Sequence, residues 1–173
     1  MEQVVLLAAD GSPIGTALKS EVHTHDTPLH LAFSCYLFDR RGRLLVTRRA
    51  LGKRTWPGVW TNSFCGHPSP DEQPEAAVLR RAQQELGIGI RDLALALPDF
   101  RYRAVDASGI VENELCPVYT ATIDAEPHPD ADEVAEWAWI HTADLAESVG
   151  RTPFAFSPWL ALQLRELLAL RGS

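Results

Sequence analysis

The sequence has no apolar run of the roughly 20 residues that a helix needs to cross a bilayer. No membrane partner is expected. Cysteine is scarce: Cys35, Cys65 and Cys116 are an odd set at irregular spacing, which excludes a disulfide framework. A reduced, cytoplasmic protein is the natural expectation. The opening MEQVVLLAADGSPIG lacks a basic segment and a cleavage site, so no signal peptide is predicted. Positive charge is in deficit as well. Lys and Arg number 16 against 23 Asp and Glu, a net charge of -7, which argues against nucleic acid as a partner. It does not exclude a small anion held by a few clustered cations. There is no repeat, low-complexity stretch or interdomain linker. The 173 residues suit one domain spanning 1–173.

What is present reads as strands, one central helix, more strands and a last helix, an α+β layout. Val4 to Ala8 predicts a strand before the Asp10-Gly11 turn. Pro28 makes EVHTHDTPLH an irregular loop. Leu31 to Phe38 and Arg43 to Arg49 flank a Gly-containing turn and predict a hairpin. Thr61 to Cys65 is a short extended piece. Pro74 and Gly87 bracket a helix whose buried stripe is Val78, Ala82 and Leu86. Arg81 and Glu85 fall beside that stripe and can look into a site, while Arg80 faces solvent or another surface. Leu93 to Arg103 reads as a broken strand, Ile110 to Ile123 as a long extended segment, and Val134 to Ile140 as a strand with Trp137 and Trp139 on one face. Ala143 to Ser148 suits a short helix. A last helix from Pro158 presents Leu160, Leu164, Leu167 and Leu168 on its apolar face.

Chemistry-bearing residues concentrate around this frame. Cys65 and His67 lie two apart in an extended segment and so share a face. Taken alone, the pair reads equally as a core cysteine and a surface histidine. Glu112 and Glu114 share a face in the same way, between apolar neighbours. Two buried carboxylates need a metal or basic partners. His23, His25 and His30 are metal-type ligands, but His23 and His30 converge only if the chain bends, which Pro28 permits. Lys19, Arg49, Lys53 and Arg81 are the donors a diphosphate needs, though each alone reads as a surface charge. Trp56, Trp60 and Trp159 read as core aromatics or as a wall facing a cation.

Two resemblances follow. Gly66, Glu72, Arg80 and the run Glu85-Leu86-Gly87-Ile88 resemble the Nudix box. Arg81 and Gln84 stand where a diphosphate-cleaving member has glutamates. More specifically, five runs resemble type I isopentenyl-diphosphate Δ-isomerases: His23 to Ser34, LLVTRRA (Leu44 to Ala50), WPGVWTNSFCGHP (Trp56 to Pro68), RRAQQELG (Arg80 to Gly87) and YRAVDASGIVENELCPVY (Tyr102 to Tyr119). Ser157-Pro158-Trp159 adds a further match. The first ten residues and the loop at 124–133 carry none.

The resemblance implies a Nudix-like α/β/α sandwich with a central mixed sheet flanked by helices. It also implies an isomerase that interconverts isopentenyl and dimethylallyl diphosphate through a tertiary carbocation. By family motif, Cys65 and Glu114 form the acid–base pair, with Tyr102 assisting Glu114. His23, His30, His67, Glu112 and Glu114 match the ligands of one divalent transition metal, Mn²⁺ or Zn²⁺. Glu85 matches the residue near a Mg²⁺ that bridges to the diphosphate. Lys19, Arg49, Lys53 and Arg81 match the diphosphate-holding set, and Trp159 the face that shields the cation. His25 matches no ligand, and its place beside Asp26 suggests a solvent-facing hydrogen-bonded role. The expected partner is a small isoprenoid diphosphate, and the expected assembly a monomer or homodimer. The competing readings are a Nudix hydrolase of a diphosphate and a Nudix-like binding module without catalysis.

Overall fold

A computed structural model describes residues 1–171 of the chain. The elements, in order, begin with β1 (Gln3–Leu7), β2 (Pro13–Leu18), the single turn α1 (Lys19–Val22), β3 (His30–Leu31), β4 (Phe33–Phe38) and β5 (Leu44–Arg49). β6 (Trp60–Thr61), β7 (Phe64–Gly66), α2 (Pro74–Leu86), β8 (Arg91–Leu97), β9 (Arg101–Val105) and β10 (Val111–Leu115) follow. The chain continues with β11 (Val118–Thr122), β12 (Val134–Ile140), α3 (Thr142–Arg151) and α4 (Pro158–Arg171).

Two mixed sheets result. The larger runs β12-β5-β4-β11-β8, with β6 added to β5 and β7 to β4. The smaller runs β2-β1-β3-β10-β9. In β4, alternate residues face opposite ways, as strand geometry requires. Phe33, Cys35 and Leu37 pack with Ala77, Val78, Ala82 and Leu86 of α2. Tyr36 packs on the other side with Leu145 of α3 and Leu160 and Leu164 of α4. The larger sheet is therefore the middle of an α/β/α sandwich, as expected.

Helix α2 follows its sequence signals closely. Proline opens it, and Gly87 ends it in the left-handed region at φ 64°, donating its N–H to the Gln83 carbonyl at 3.1 Å. A Cβ at Gly87 would lie 2.8 Å from the His128 carbonyl oxygen, so this turn also needs glycine for space.

Four expectations change. The hairpin at residues 31–49 is real only at its turn: β4 and β5 pair solely at Phe38 and Leu44, then part to admit β6 and β7. The break expected within Leu93 to Arg103 and an unexpected one within Ile110 to Ile123 each separate strands that belong to different sheets. Pro98-Asp99 separates β8 from β9, and Cys116-Pro117 separates β10 from β11. Proline cannot supply a ladder N–H, and at each break the chain crosses between sheets. The loop expected at residues 21–30 starts on α1 and ends on β3. On α4, Leu160 and Leu164 are buried, whereas Leu168 is 37% exposed and lies off the core.

β7 and α2 meet most closely at Gly66. A Cβ there would lie 2.8 Å from Cγ of Arg81 and 2.8 Å from Cζ of Phe33. Overpacking of this kind costs about 1–3 kcal/mol. Gly66→Ala is expected to lower the midpoint of thermal unfolding measured by circular dichroism; an unchanged midpoint would show that the seam yields freely.

Candidate active site

The site forms where the two sheets meet. In the smaller sheet, His30 on β3 lies beside Glu114 on β10, and Glu114 lies beside Tyr102 on β9. Directly opposed residues on neighbouring strands share a face. One row of the ladder thus aligns an imidazole, a carboxylate and a phenol. Glu112 lies two residues up the same face, while Asn113 turns away and donates to the Thr27 carbonyl at 3.2 Å. His23, just past α1, bends back as Pro28 allows, and its ring centroid lies 5.2 Å from that of His30. The larger sheet contributes Cys65 on β7 and His67 just beyond it.

His23, His30, His67 and Glu114 each aim one ligand atom into a common space, all within 4.8 Å of one another. Glu114 Oε1 lies 3.2 Å from His67 Nε2 and 3.5 Å from His30 Nε2. His30 Nδ1 must donate to the Pro28 carbonyl at 3.0 Å, which turns Nε2 inward with its lone pair. Buried Nε2 of His23 and His30, Nδ1 of His67 and Oε2 of Glu112 lack hydrogen-bond partners. Orphaned buried acceptors around a carboxylate fit a divalent transition metal, for which imidazole is a preferred ligand. Glu112 lies outside the set of four. Its Oε2 sits 2.9 Å from His23 Nε2, and its Oε1 accepts from the Thr55 hydroxyl at 2.7 Å.

Burial alone would raise the Glu114 carboxyl, but hydrogen bonds and charge from His30 and His67 hold its pKa well below the ordinary value. Burial likewise lowers His30, yet Glu114 outweighs it and raises the imidazole. At His67 burial prevails and lowers it. Burial, with the charges of Glu114 and Glu112 adding to it, pushes the Tyr102 hydroxyl well above the ordinary phenol.

Cys65 is surrounded by neutral groups. Its thiol donates to Asn62 Oδ1 at 3.3 Å and lies 3.3 Å from Ser34 Oγ. Burial pushes its pKa up to about 12, against the opposing hydrogen bonds from Ser34 and Asn62. Asn62 is fully buried, and its amide is oriented by donating to the Cys35 and Phe64 carbonyls at 3.0 and 2.8 Å. That leaves Oδ1 to accept from Cys65, from Trp159 Nε1 at 3.1 Å and from Thr61 Oγ1 at 2.9 Å. Behind Ser34, Gln163 Nε2 donates to its Oγ at 2.9 Å while Gln163 Oε1 accepts from Tyr36 at 2.9 Å.

A cavity of about 500 Å³ opens over these groups. Cys65, Tyr102 and Trp159 line its depth. The Trp159 ring is tilted against Tyr102 and edge-on to Trp56, with centroids 5.8 and 5.6 Å away. Lys19, Arg49, Lys53 and Arg81 line it too, so all four cations expected from sequence reach one space. None is bare. Lys19 pairs with Glu2 at 2.7 Å, Lys53 with Glu133, and Arg81 with Glu85 at 2.9 Å and Glu133 at 3.4 Å. Arg49 donates to the Thr55 and Trp56 carbonyls and stacks over Trp159 at 5.3 Å. Glu85 lines the cavity, its carboxyl raised by burial.

Two residues of the box serve the loop rather than the cavity. Arg80 takes the second of its two expected surroundings, donating to Glu72 at 2.7 Å and to the His67 carbonyl at 3.3 Å. His25 lies apart from the cluster, donating from Nδ1 to the Gly109 carbonyl at 2.8 Å and not bonding Asp26. Asn62, Ser34, Gln163, Thr55, Glu2 and Glu133 were not read as site residues. Asn62 and Ser34 lie inside the matched motifs, but the partners that fix their roles, Trp159 for Asn62 and Gln163 for Ser34, are far along the chain. Glu2 and Glu133 lie in stretches without resemblance.

Residues 28–160 match the NUDIX domain. The isopentenyl-diphosphate Delta-isomerase of Leifsonia xyli is 67% identical over 173 residues, covering 99% of this chain and 94% of that protein. The chain belongs to the isopentenyl-diphosphate Delta-isomerase family. The family member from Klebsiella pneumoniae is 54% identical over 162 residues, covering 94% of this chain and 88% of that protein. Among solved structures, a Deinococcus radiodurans protein superposes with TM-score 0.76 at 18% identity, covering 96% of this chain and 99% of that one. A MutT NUDIX hydrolase from Burkholderia pseudomallei gives 0.62 at 24%, covering 80% and 97%. These two likenesses show the Nudix fold alone.

The histidine geometry makes a discriminating prediction. After dialysis and elemental analysis, His30→Ala is expected to lose bound transition metal while His25→Ala retains it. Equal metal content in both variants would remove His30 from the ligand set.

Proposed function

We propose that this chain interconverts isopentenyl diphosphate and dimethylallyl diphosphate by protonation and deprotonation, a 1,3-allylic rearrangement. One observation carries the reading: Cys65, Glu114, Tyr102 and Trp159 line a single cavity together with the cations Lys19, Arg49, Lys53 and Arg81. Its volume, about 500 Å³, lies in the range of small-ligand sites.

The alkene needs a strong acid to take a proton on its terminal carbon, which leaves a tertiary cation. A base must then remove a proton from the carbon on the other side. Glu114 and Cys65 are this pair, with the Tyr102 hydroxyl beside Glu114. In one direction Glu114, assisted by Tyr102, delivers and Cys65 receives. In the other the roles exchange. An aromatic face tolerates a cation, and Trp159 and Tyr102 line the cavity where they would keep water from trapping the cation as an alcohol.

His23, His30, His67, Glu112 and Glu114 would hold one divalent transition metal, Mn²⁺ or Zn²⁺. When bound, such an ion makes a carboxyl ligand a stronger acid by favouring its ionised form. Lys19, Arg49, Lys53 and Arg81 hold the diphosphate, and Glu85 a Mg²⁺ that accompanies it. We place the chemistry in one domain, residues 1–173, acting in the cytoplasm, where three free cysteines stay reduced.

Hydrolysis is disfavoured at the helix itself. Hydrolytic chemistry of this kind gathers carboxylates around Mg²⁺. Here Arg81 is buried at that position and ion-paired with Glu85, so the helix offers a cation beside its one inward carboxylate.

Incubation with isopentenyl diphosphate and Mg²⁺ in D₂O, followed by NMR, tests the reading. Deuterium is expected in the methyl groups of newly formed dimethylallyl diphosphate, with the diphosphate intact. Phosphate release without deuterium would establish the hydrolase instead. Cys65→Ala is expected to lose turnover by orders of magnitude and keep its transition metal, whereas Glu114→Gln loses both. Near-normal turnover in Cys65→Ala would remove the thiol from the reaction.

A further inference from the structure

The diphosphate end of the cavity contains a carboxylate that the reaction does not use. Glu133 sits at the entry to β12, and its backbone is pinned on both sides. Its N–H donates to the Asp130 carbonyl at 3.0 Å, and its carbonyl accepts from Ala50 N–H at 3.0 Å. Ala50 directly follows β5, so this bond sets Glu133 beside Arg49 and Lys53. The side chain lines the cavity and grips two of the four cations, Lys53 with one oxygen and Arg81 with the other. Arg81 is thereby shared between Glu133 and Glu85, and its buried Nε still lacks a partner.

The cavity carries both signs of charge. Lys19, Arg49, Lys53, Arg54 and Arg81 line it with Glu2, Glu85 and Glu133, and Glu133 alone occupies two of those five cations. A bare diphosphate carries several negative charges and would have to displace Glu133 from Lys53 and Arg81. It would also leave that partly buried carboxylate, its side chain 22% exposed, beside new negative charge. A diphosphate arriving with a divalent cation supplies the missing positive charge, and Glu133 and Glu85 then face a cation instead of an anion.

We propose that Glu133 is the residue that makes this site select the divalent-cation complex of a diphosphate over the free diphosphate. It does so by occupying Lys53 and Arg81 until a cation is present to compensate its charge. The proposal rests on the diphosphate-binding reading of the cavity. It assigns Glu133 a specificity role, not a part in proton transfer.

The test is binding, not turnover. Inorganic diphosphate is titrated calorimetrically into the full chain with and without Mg²⁺, without chelator, for the unmodified protein, Glu133→Gln and Glu147→Gln. Glu147 pairs with Arg151 on exposed α3 and controls for overall charge. The ratio of affinities with and without Mg²⁺ is expected to fall by at least about fivefold in Glu133→Gln, the effect of one unit charge at about 4 Å even in bulk water. The change should come from tighter metal-free binding, and Glu147→Gln should keep the original ratio. Glu133→Ala, which removes the carboxylate differently, should repeat the result. An unchanged ratio in Glu133→Gln and Glu133→Ala, or an equal fall in Glu147→Gln, overturns the role of Glu133 and leaves the diphosphate site standing. Absence of binding by the unmodified protein in both conditions overturns the diphosphate site along with it.

Discussion

The buried carboxylate of Glu114 is the constraint on which the rest of the structure depends. An ionised carboxylate cannot be taken out of water without partners. It sits 6% exposed on β10 with His30 on one flank and His67 above it. His30 reaches it because β3 runs parallel to β10 in register, and Tyr102 because β9 runs antiparallel in register. A slip of one residue in either pairing would send the neighbour to the opposite face. The smaller sheet, whose strands are short and whose β3 has two residues, is therefore specified by its polar row as well as by its apolar contacts.

The larger sheet meets this row through β7. The partial separation of β4 and β5 is what makes room for β6 and β7, and it delivers Cys65 and His67 to the far side of the same space. Gly66 between them lets the strand lie against Arg81 and Phe33. The Nudix helix thus serves two ends at once. Its Arg80–Glu72 clamp shapes the loop after His67, and its Arg81–Glu85 pair faces the cavity. The same helix that gathers carboxylates in a hydrolase here carries one cation and one anion, which cancel until a ligand arrives.

Much of this was legible from residue order. Helix α2, its caps and its buried stripe follow from Pro74, Gly87 and a period near 3.6. The pairing of Cys65 with His67, and of Glu112 with Glu114, follows from a period of two. The second sheet was not legible. The break within Leu93 to Arg103 is expected, but Ile110 to Ile123 reads as one extended run, and local propensity does not say to which sheet either piece belongs. Asn62 and Gln163 escaped for a related reason. An Asn in an extended motif and a Gln on a leucine-rich helix acquire their meaning from partners about 100 or more residues away, Trp159 for the first and Ser34 for the second. Glu133 lay in a loop with no motif, and only its bond to Ala50 brings it to the cations.

The two ends of the cavity are built on opposite electrostatic plans. Among the four expected cations every one but Arg49 is paired with a carboxylate, so an anion bound there would exchange full charges. Around Cys65 the partners are neutral: the Asn62 carbonyl oxygen, the Ser34 hydroxyl and, behind it, the Gln163 amide. A fixed cation beside the sulfur would hold it as thiolate, and a fixed anion would hold it as thiol. Asn62 Oδ1 can accept from the thiol, while the Ser34 hydroxyl, already receiving a hydrogen bond from Gln163, has its own proton free to donate to sulfur. Burial, with the charges of Glu114 and Glu85 adding to it, makes the thiol the favoured form, with its pKa pushed up to about 12. A network of buried neutral groups costs little when every member is satisfied.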